Sequence, residues 1–185
     1  MKKWSLATTE TVGRYRVLDV QRHDVVDGAE RPRGDVYTLA CPDWCNVVAV
    51  TDADELVLIW QYRFGTDTVA LEIPGGVIER GEDPLAAARR ELVEETGYEA
   101  ESFELLATVE PNPAIQGNRC FTYLARGARR LHATSFDALE ECEVVLFPAA
   151  HAADLVDGGH VTHALAVVGL ERFLRVSRRE RSGGP

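Results

Sequence analysis

Three glutamates on one predicted helix are spaced so that their carboxylates could act together, for example as ligands of a cation. Glu91, Glu94 and Glu95 lie within five residues, and at about 100° per residue they share one helix face. Like charges four residues apart destabilise a helix by roughly a few tenths of a kcal/mol, so something must offset the repulsion. A hard divalent cation such as Mg²⁺ would do so, because it takes oxygen ligands and leaves positions for substrate phosphates. A solvated acidic face is the alternative for these three residues alone.

The residues that precede the cluster favour the metal site. The segment 74–76, Pro-Gly-Gly, permits tight backbone geometry close to a ligand. Glu82 lies just ahead of the predicted helix and could reach the same carboxylates. Arg90 comes directly before Glu91 and can orient a carboxylate through a charge-assisted hydrogen bond. This order of glycines, Glu82, Arg90 and glutamates favours a metal site that binds a phosphate substrate over a solvated acidic face.

The helix that holds the glutamates has distinct start and stop signals. Asp83 is a good N-cap, Pro84 suits the first helical position, and Gly97 suits the position after the last turn. These signals predict a helix over 84–96. A short strand over 69–73 is predicted to lead into the Pro-Gly-Gly segment.

An N-terminal β lobe is predicted over residues 1–43. Residues 12–26 alternate apolar and polar well enough for one strand, and 35–40 reads as a second strand. Cys-Pro-Asp at 41–43 breaks the pattern and is interpreted as the hinge into the next domain.

The remaining elements indicate an α/β or α+β fold with a mixed sheet. We expect a main domain over 44–176 and a disordered basic tail over 177–185. The further strands are predicted at 46–50, 55–63, 103–110, 120–125 and 143–147, and the last helix at about 161–176.

The composition excludes some partners. The 185 residues carry a formal net charge of −10, whereas a nucleic-acid binder usually has a basic face, so DNA or RNA polymers are not expected partners. No apolar run approaches the roughly 18 residues of a membrane span. Because no apolar stretch follows the basic start, a signal peptide is not expected, and the four cysteines are predicted to be reduced in the cytoplasm.

The segment from Gly76 to Tyr98 resembles the box of the Nudix hydrolase family. That box reads G-x5-E-x7-R-E-U-x-E-E-x-G-U, where U is a bulky apolar residue, and every fixed position matches over 23 residues. The resemblance implies the Nudix α/β/α sandwich, with the box as loop–helix–loop. It also implies hydrolysis of a nucleoside diphosphate linked to another group. The matching residues are Gly76, Glu82, Arg90, Glu91, Leu92, Glu94, Glu95, Gly97 and Tyr98.

Carried over position by position, the resemblance assigns roles within the box. It implies that Glu91 and Glu95 are the core metal ligands and that Gly75 offers its carbonyl oxygen. Glu94 resembles a further ligand or a residue that holds the attacking water, and Arg90 resembles an orienting residue. The implied cofactor is Mg²⁺, with Mn²⁺ as a substitute.

The flanking residues resemble the ADP-ribose pyrophosphatase and nucleotide-sugar hydrolase branch of the family. Leu-Glu-Ile-Pro-Gly-Gly at 71–76 matches its lead-in, and Gln-Tyr-Arg at 61–63 matches an upstream substrate-binding motif. Pro113 stands 15 residues beyond Tyr98, where that branch typically has a proline. The branch often dimerises by exchanging its N-terminal lobe, so a homodimer through residues 1–43 is implied.

Four residues outside the box are candidates for substrate binding, and three of them have a structural alternative. Trp44 could stack on a nucleobase or fill a hinge or dimer core. Arg63 could contact the diphosphate or form a surface ion pair. Glu72 could bind a ribose or a metal-bound water, or be a strand-edge acid, and Arg119 could hold a phosphate. His163 is expected to pack within the last helix.

A water-activating glutamate is expected on a loop after the box, as in members of this branch. Glu140 is the first choice for this general base and Glu141 the second, by alignment to the strand that follows. The expected reaction is Mg²⁺-dependent hydrolysis of ADP-ribose or a related nucleotide sugar to a nucleoside monophosphate and a sugar phosphate. A pyrophosphatase for nucleoside triphosphates, dinucleoside polyphosphates or coenzyme A is the alternative enzyme. A non-catalytic nucleotide-sugar sensor is the alternative from another class.

Overall fold

The computed structural model describes residues 3–136 and 141–183. The chain divides into two compact units. The first comprises residues 1–43 and 110–119, and the second comprises residues 44–109 and 120–185. No helix in the described ranges is long and apolar enough to cross a membrane.

The first unit contains a three-stranded antiparallel sheet in the order β1-β2-β3, formed by β1 (Ser5–Arg14), β2 (Asp19–Val26) and β3 (Pro32–Ala40). The prediction of one strand over 12–26 was wrong. The Tyr15 amide donates to the Leu18 carbonyl oxygen at 3.0 Å and closes a turn between β1 and β2. Apolar and polar residues alternate through both strands, so the sequence pattern alone did not predict a turn between them.

Residues 110–119 return to the first unit. The Leu39 amide donates to the Ile115 carbonyl at 2.7 Å, and the Asn118 side-chain amide donates to the Pro42 carbonyl at 2.9 Å. The sequence predicted a single boundary at residue 43 and did not predict this second crossing.

The second unit is built on a mixed sheet, as predicted. Its main order is β11-β5-β4-β10-β8, with β6 on β5, β7 on β4 and β9 on β10. Strands β4 and β10 are parallel, and the other pairs are antiparallel. The strands are β4 (Trp44–Thr51), β5 (Glu55–Arg63), β6 (Thr68–Glu72), β7 (Gly75–Val77), β8 (Tyr98–Glu99), β9 (Ser102–Val109), β10 (Cys120–Arg130) and β11 (Cys142–Pro148).

Helices cover both faces of this sheet. Successive residues of a strand point to opposite faces, and β4 shows the consequence. Val47 is buried in one apolar cluster with Leu92 of helix α1 (Pro84–Thr96), whereas Val48 is buried in another with Leu170 of helix α3 (Ala164–Arg181). This arrangement confirms the predicted α/β/α sandwich. The helices are α1 (Pro84–Thr96), α2 (Ala152–Asp157) and α3 (Ala164–Arg181), with a short 3-10 turn at Ala149–His151 before α2.

Helix α3 differs from the prediction at both ends. It begins at Ala164 rather than near 161 and ends at Arg181, so residues 177–181 are helical and not a disordered tail. Glu180 forms an ion pair with Arg126 of β10 at 2.7 Å. Arginines in the last turn also face the negative end of the helix dipole, which favours helix there.

Candidate active site

Helix α1 is fixed at both ends by the predicted caps. The Asp83 carboxylate accepts the amides of Leu85 at 3.0 Å and Ala86 at 3.2 Å. At the other end, Gly97 is left-handed, with φ of 74° and ψ of 8°, and its amide donates to the Val93 carbonyl at 2.8 Å. A side chain at Gly97 would also collide with the His132 carbonyl. The bounds of α1, and hence the direction of its glutamates, follow from these local contacts.

Two carboxylates of α1 reach the backbone of the Pro-Gly-Gly segment. The Glu95 carboxylate accepts the Gly75 amide at 2.8 Å and is only 5% exposed. The Glu91 carboxylate lies over Gly76, where a Cβ atom would be 2.6 Å from its carboxyl carbon. The i and i+4 carboxylates therefore converge on residues 75–76, as their shared helix face predicted.

Gly75 is also required by the sheet. It pairs with Asn46 where β7 joins β4, and a Cβ atom there would lie 2.3 Å from the Cys45 carbonyl oxygen. Only glycine permits this approach, because any Cβ would meet backbone atoms that cannot move aside. The backbone of β7 therefore lies close against β4 on one side and in contact with the Glu91 and Glu95 carboxylates on the other.

Arg90 holds the acidic side chains in place. Its Nε and Nη2 donate to both oxygens of Glu82 at 3.0 Å, and its Nη1 donates to Glu91 at 2.7 Å and Glu94 at 2.9 Å. Nη2 also donates to the Val77 carbonyl at 3.0 Å. The pKa of Arg90 is raised, chiefly by the Glu82 hydrogen bonds, and the pKa of Glu82 is lowered by the same contact. The guanidinium is thus a fixed positive centre among the carboxylates.

The donor set fits a hard divalent cation. Glu91 and Glu95 offer carboxylate oxygens beside the Gly75–Gly76 backbone, while Glu94 turns to Arg90. Across residues 3–136 and 141–183, no group of three or more acidic, histidine or cysteine side chains is spaced to hold a metal ion by itself. A cation here would complete its shell with backbone carbonyl, water and phosphate oxygens, which is the pattern that Mg²⁺ prefers.

A second charged group comprises Arg63, Glu72 and His163. Arg63 Nε and Nη2 donate to the two Glu72 oxygens, each at 2.7 Å. His163 Nδ1 also bonds Glu72 Oε2. Burial opposes ionisation of Glu72, which is 1% exposed, but hydrogen bonds from Arg63 and His163 outweigh it and lower its pKa to about 2. Glu72 is therefore a buried carboxylate between two bases, not an exposed strand-edge acid.

Of the other predicted site residues, two are placed by contacts of their own, and two belong to the segment that precedes β11 in the sequence. Trp44 begins β4 and is half-buried, with register partners Val77 and Cys120. Arg119, in the first unit, donates to both oxygens of Asp43, with Nη2 at 2.7 Å. Glu141 is exposed just before β11, and Glu140 lies outside the described residues.

His163 is the site residue that the sequence missed. It was expected to pack within the last helix, but it stands before α3 and its ring is bonded to Glu72. One signal could have found it. Histidine is an unusual residue at a helix N-cap, where Ser, Thr, Asp and Asn predominate.

Fold and site together define a metal-dependent phosphohydrolase of the Nudix type, and the chain belongs to the NUDIX domain family, whose model matches residues 45–164. It is 33% identical to the methanol dehydrogenase activator of Bacillus methanolicus over 141 residues, which cover 74% of each chain. It is 31% identical to the ADP-ribose pyrophosphatase of Bacillus subtilis (strain 168) over 119 residues, or 63% of this chain and 62% of the relative.

A solved structure extends the likeness over nearly the whole chain. The crystal structure of an ADP compounds hydrolase superposes with a TM-score of 0.83 at 26% sequence identity. The match covers 99% of this chain and 97% of the other. Both units of the present chain therefore have counterparts in that protein.

Proposed function

We propose that this protein hydrolyses the diphosphate bond of ADP-ribose or a related nucleoside diphosphate sugar in a Mg²⁺-dependent reaction. The products are a nucleoside monophosphate and a sugar phosphate. The observation that carries the proposal is the convergence of Glu91 and Glu95 on the Gly75–Gly76 backbone, with Arg90 holding the acidic residues around them. The printed names of the relatives, an ADP-ribose pyrophosphatase and an ADP compounds hydrolase, support the substrate class.

Glu91, Glu95 and the Gly75 carbonyl would hold the cation, with Glu94 as a further ligand or a residue that holds water. Mn²⁺ is expected to substitute for Mg²⁺, because both accept oxygen ligands. When bound, such a cation neutralises the diphosphate and makes water a better nucleophile. Arg90 keeps Glu91 and Glu94 oriented, since its Nη1 bonds both carboxylates.

The remaining residues of the proposed site bind substrate and move a proton. Arg63 faces the diphosphate, and Trp44 stacks on the base. Arg119 remains a candidate to hold a phosphate. Glu140, or failing that Glu141, accepts the proton of the attacking water. The oxygen of that water then bonds one phosphorus, the bridging P–O bond breaks, and the second phosphate leaves with the bridging oxygen.

A substrate panel with product identification tests this function. Purified protein with Mg²⁺ would be given ADP-ribose, other nucleotide sugars, nucleoside triphosphates, dinucleoside polyphosphates and coenzyme A in ¹⁸O-labelled water. We expect a nucleoside monophosphate and a sugar phosphate from ADP-ribose or a nucleotide sugar, with no turnover in EDTA. The label would identify the phosphorus attacked. If only nucleoside triphosphates, dinucleoside polyphosphates or coenzyme A were hydrolysed, the proposed substrate class would be wrong. Tight binding of a nucleotide sugar without hydrolysis would indicate a sensor.

We also propose a cytoplasmic homodimer that pairs through the first unit. Several apolar side chains are exposed there, among them Trp4, Leu6 and Tyr37, and such surface commonly marks an interface. The four cysteines are expected to be reduced thiols in that compartment. Light scattering on the full chain should give twice the mass of one chain, and a single-chain mass at working concentration would contradict the dimer.

A further inference from the structure

His163 is the N-cap of α3, yet its side chain does not cap the helix. Its backbone is extended, with φ of −67° and ψ of 118°, and its carbonyl accepts the Val167 amide at 2.9 Å. Side chains at this position usually accept a first-turn amide, but that of His163 makes no capping bond. Its ring is instead bonded to Glu72, 91 residues earlier in the chain. The local structure alone therefore gives no reason for a histidine at this position.

The contact with Glu72 has a defined direction. Glu72 is ionised, because its pKa is lowered to about 2, so its oxygens accept and His163 Nδ1 donates. Oε2 receives both this bond and the Arg63 Nη2 bond, while Oε1 receives Arg63 Nε. The side chains of Arg63 and His163 are each 40% exposed, but that of Glu72 is 2% exposed. A buried carboxylate is thus clamped from two sides by groups that reach the surface.

The clamp fixes the orientation of Arg63. Its Nε–Nη2 edge is occupied by Glu72, so the planar guanidinium directs Nη1 away from that carboxylate. The negative charge of Glu95 also helps to raise the pKa of Arg63, after the larger effect of its hydrogen bonds to Glu72. Arg63 therefore stands within electrostatic reach of a proposed metal ligand. If the Glu72 carboxylate lost its bond to His163 and rotated, the Arg63 guanidinium bonded to it would rotate too, and Nη1 would point in another direction.

We propose that His163 is a positioning residue for substrate binding, which holds Glu72 and through it orients Arg63 toward the diphosphate of a nucleotide sugar. This inference rests on the proposed function. It predicts that His163 affects substrate affinity rather than the chemical step, because it touches neither the attacked phosphorus nor the metal ligands.

The N-cap position allows a test that separates positioning from stability. His163→Ser removes the Glu72 bond but supplies a good capping residue, and α3 keeps an independent anchor where the Asn46 amide donates to the Leu165 carbonyl at 3.3 Å. His163→Asn places an amide N–H close to the position of Nδ1. His160→Ser is the matched control, since His160 is exposed three residues earlier.

Steady-state kinetics with ADP-ribose and Mg²⁺, with thermal unfolding in parallel, give the readouts. We expect His163→Ser to raise KM about tenfold, with kcat within about threefold of the wild type. Its Tm should fall by roughly 5 °C or less, because the serine cap offsets part of the lost bond to Glu72. His163→Asn should recover most of the lost affinity, and His160→Ser should match the wild type. An unchanged KM in His163→Ser would overturn the proposal. So would an equal KM rise in His160→Ser, no recovery in His163→Asn, or a loss in kcat as large as the rise in KM. Absence of turnover in both the wild type and His160→Ser would instead count against the proposed function.

Discussion

The Glu91 carboxylate occupies the space that a side chain at Gly76 would need. A Cβ atom on Gly76 would lie 2.6 Å from the Glu91 carboxyl carbon and 2.6 Å from its Oε1. The backbone of Gly76 is therefore in direct contact with a proposed metal ligand. The glycine is needed because of that contact, since it has no positive φ that would otherwise demand one.

Gly76→Ala should displace Glu91 and weaken the metal site. We expect a loss of about 10–100-fold in metal affinity or activity, measured by titrating Mg²⁺ against the initial rate. Gly28→Ala is the matched control, because the space around Gly28 is open within 4 Å. If Gly76→Ala needed no more Mg²⁺ than the control, Glu91 would not be a ligand.

Arg90→Lys should lower activity although it keeps the charge. A lysine ammonium cannot reproduce the planar fork that bonds Glu82, Glu91 and Glu94 together. We expect a fall of about 10–100-fold in kcat/KM, measured at saturating Mg²⁺. Arg89→Lys serves as the control, since Arg89 is exposed and its guanidinium lies 4.3 Å from the centre of the Phe103 ring. Equal activities of the two variants would contradict an orienting role for Arg90.

Glu72 should make stability depend on pH in the acid range. Its pKa is lowered from 4.5 to about 2 in the folded protein, so its ionised form stabilises the fold above pH 4.5. That contribution, on the order of 3 kcal/mol, is lost as the pH falls from 4.5 toward 2. The free energy of unfolding of the wild type should therefore drop faster than that of Glu72→Gln between pH 5 and pH 3, as measured by urea denaturation.

The matched control for that experiment is Glu104→Gln, because Glu104 is exposed on β9. Its stability curve should run parallel to that of the wild type. Parallel curves for the wild type and Glu72→Gln would mean that the Arg63 and His163 bonds do not favour ionised Glu72.

The acidic segment that precedes β11 in the sequence should contain the general base. Glu140→Gln should lower kcat by about 10²–10⁴, with little change in KM, as measured with ADP-ribose at saturating Mg²⁺. Glu141→Gln and Glu143→Gln provide the comparison, since Glu141 is exposed just before β11 and Glu143 is exposed within it. A near-wild-type kcat for Glu140→Gln together with a large loss for Glu141→Gln would move the role by one residue.

The elements that the sequence predicted well are those with local signals. Asp83, Pro84 and Gly97 gave the bounds of α1 correctly, because N-cap and C′ preferences act within one turn of the helix end. Strand β5 was also predicted at its observed bounds, 55–63. The turn inside 12–26 was not predicted, because both strands of that hairpin continue the same alternation.

By itself, the sequence determined the acidic helix and the nearness of Glu91 and Glu95, since helical geometry places residues i and i+4 on one face whatever surrounds them. Only the tertiary structure decided which partner each charge has. His163 reaches Glu72 across 91 residues, and Glu91 lies over Gly76 because α1 packs against β7. Such pairings depend on how distant elements pack together, and no local periodicity in the chain encodes them.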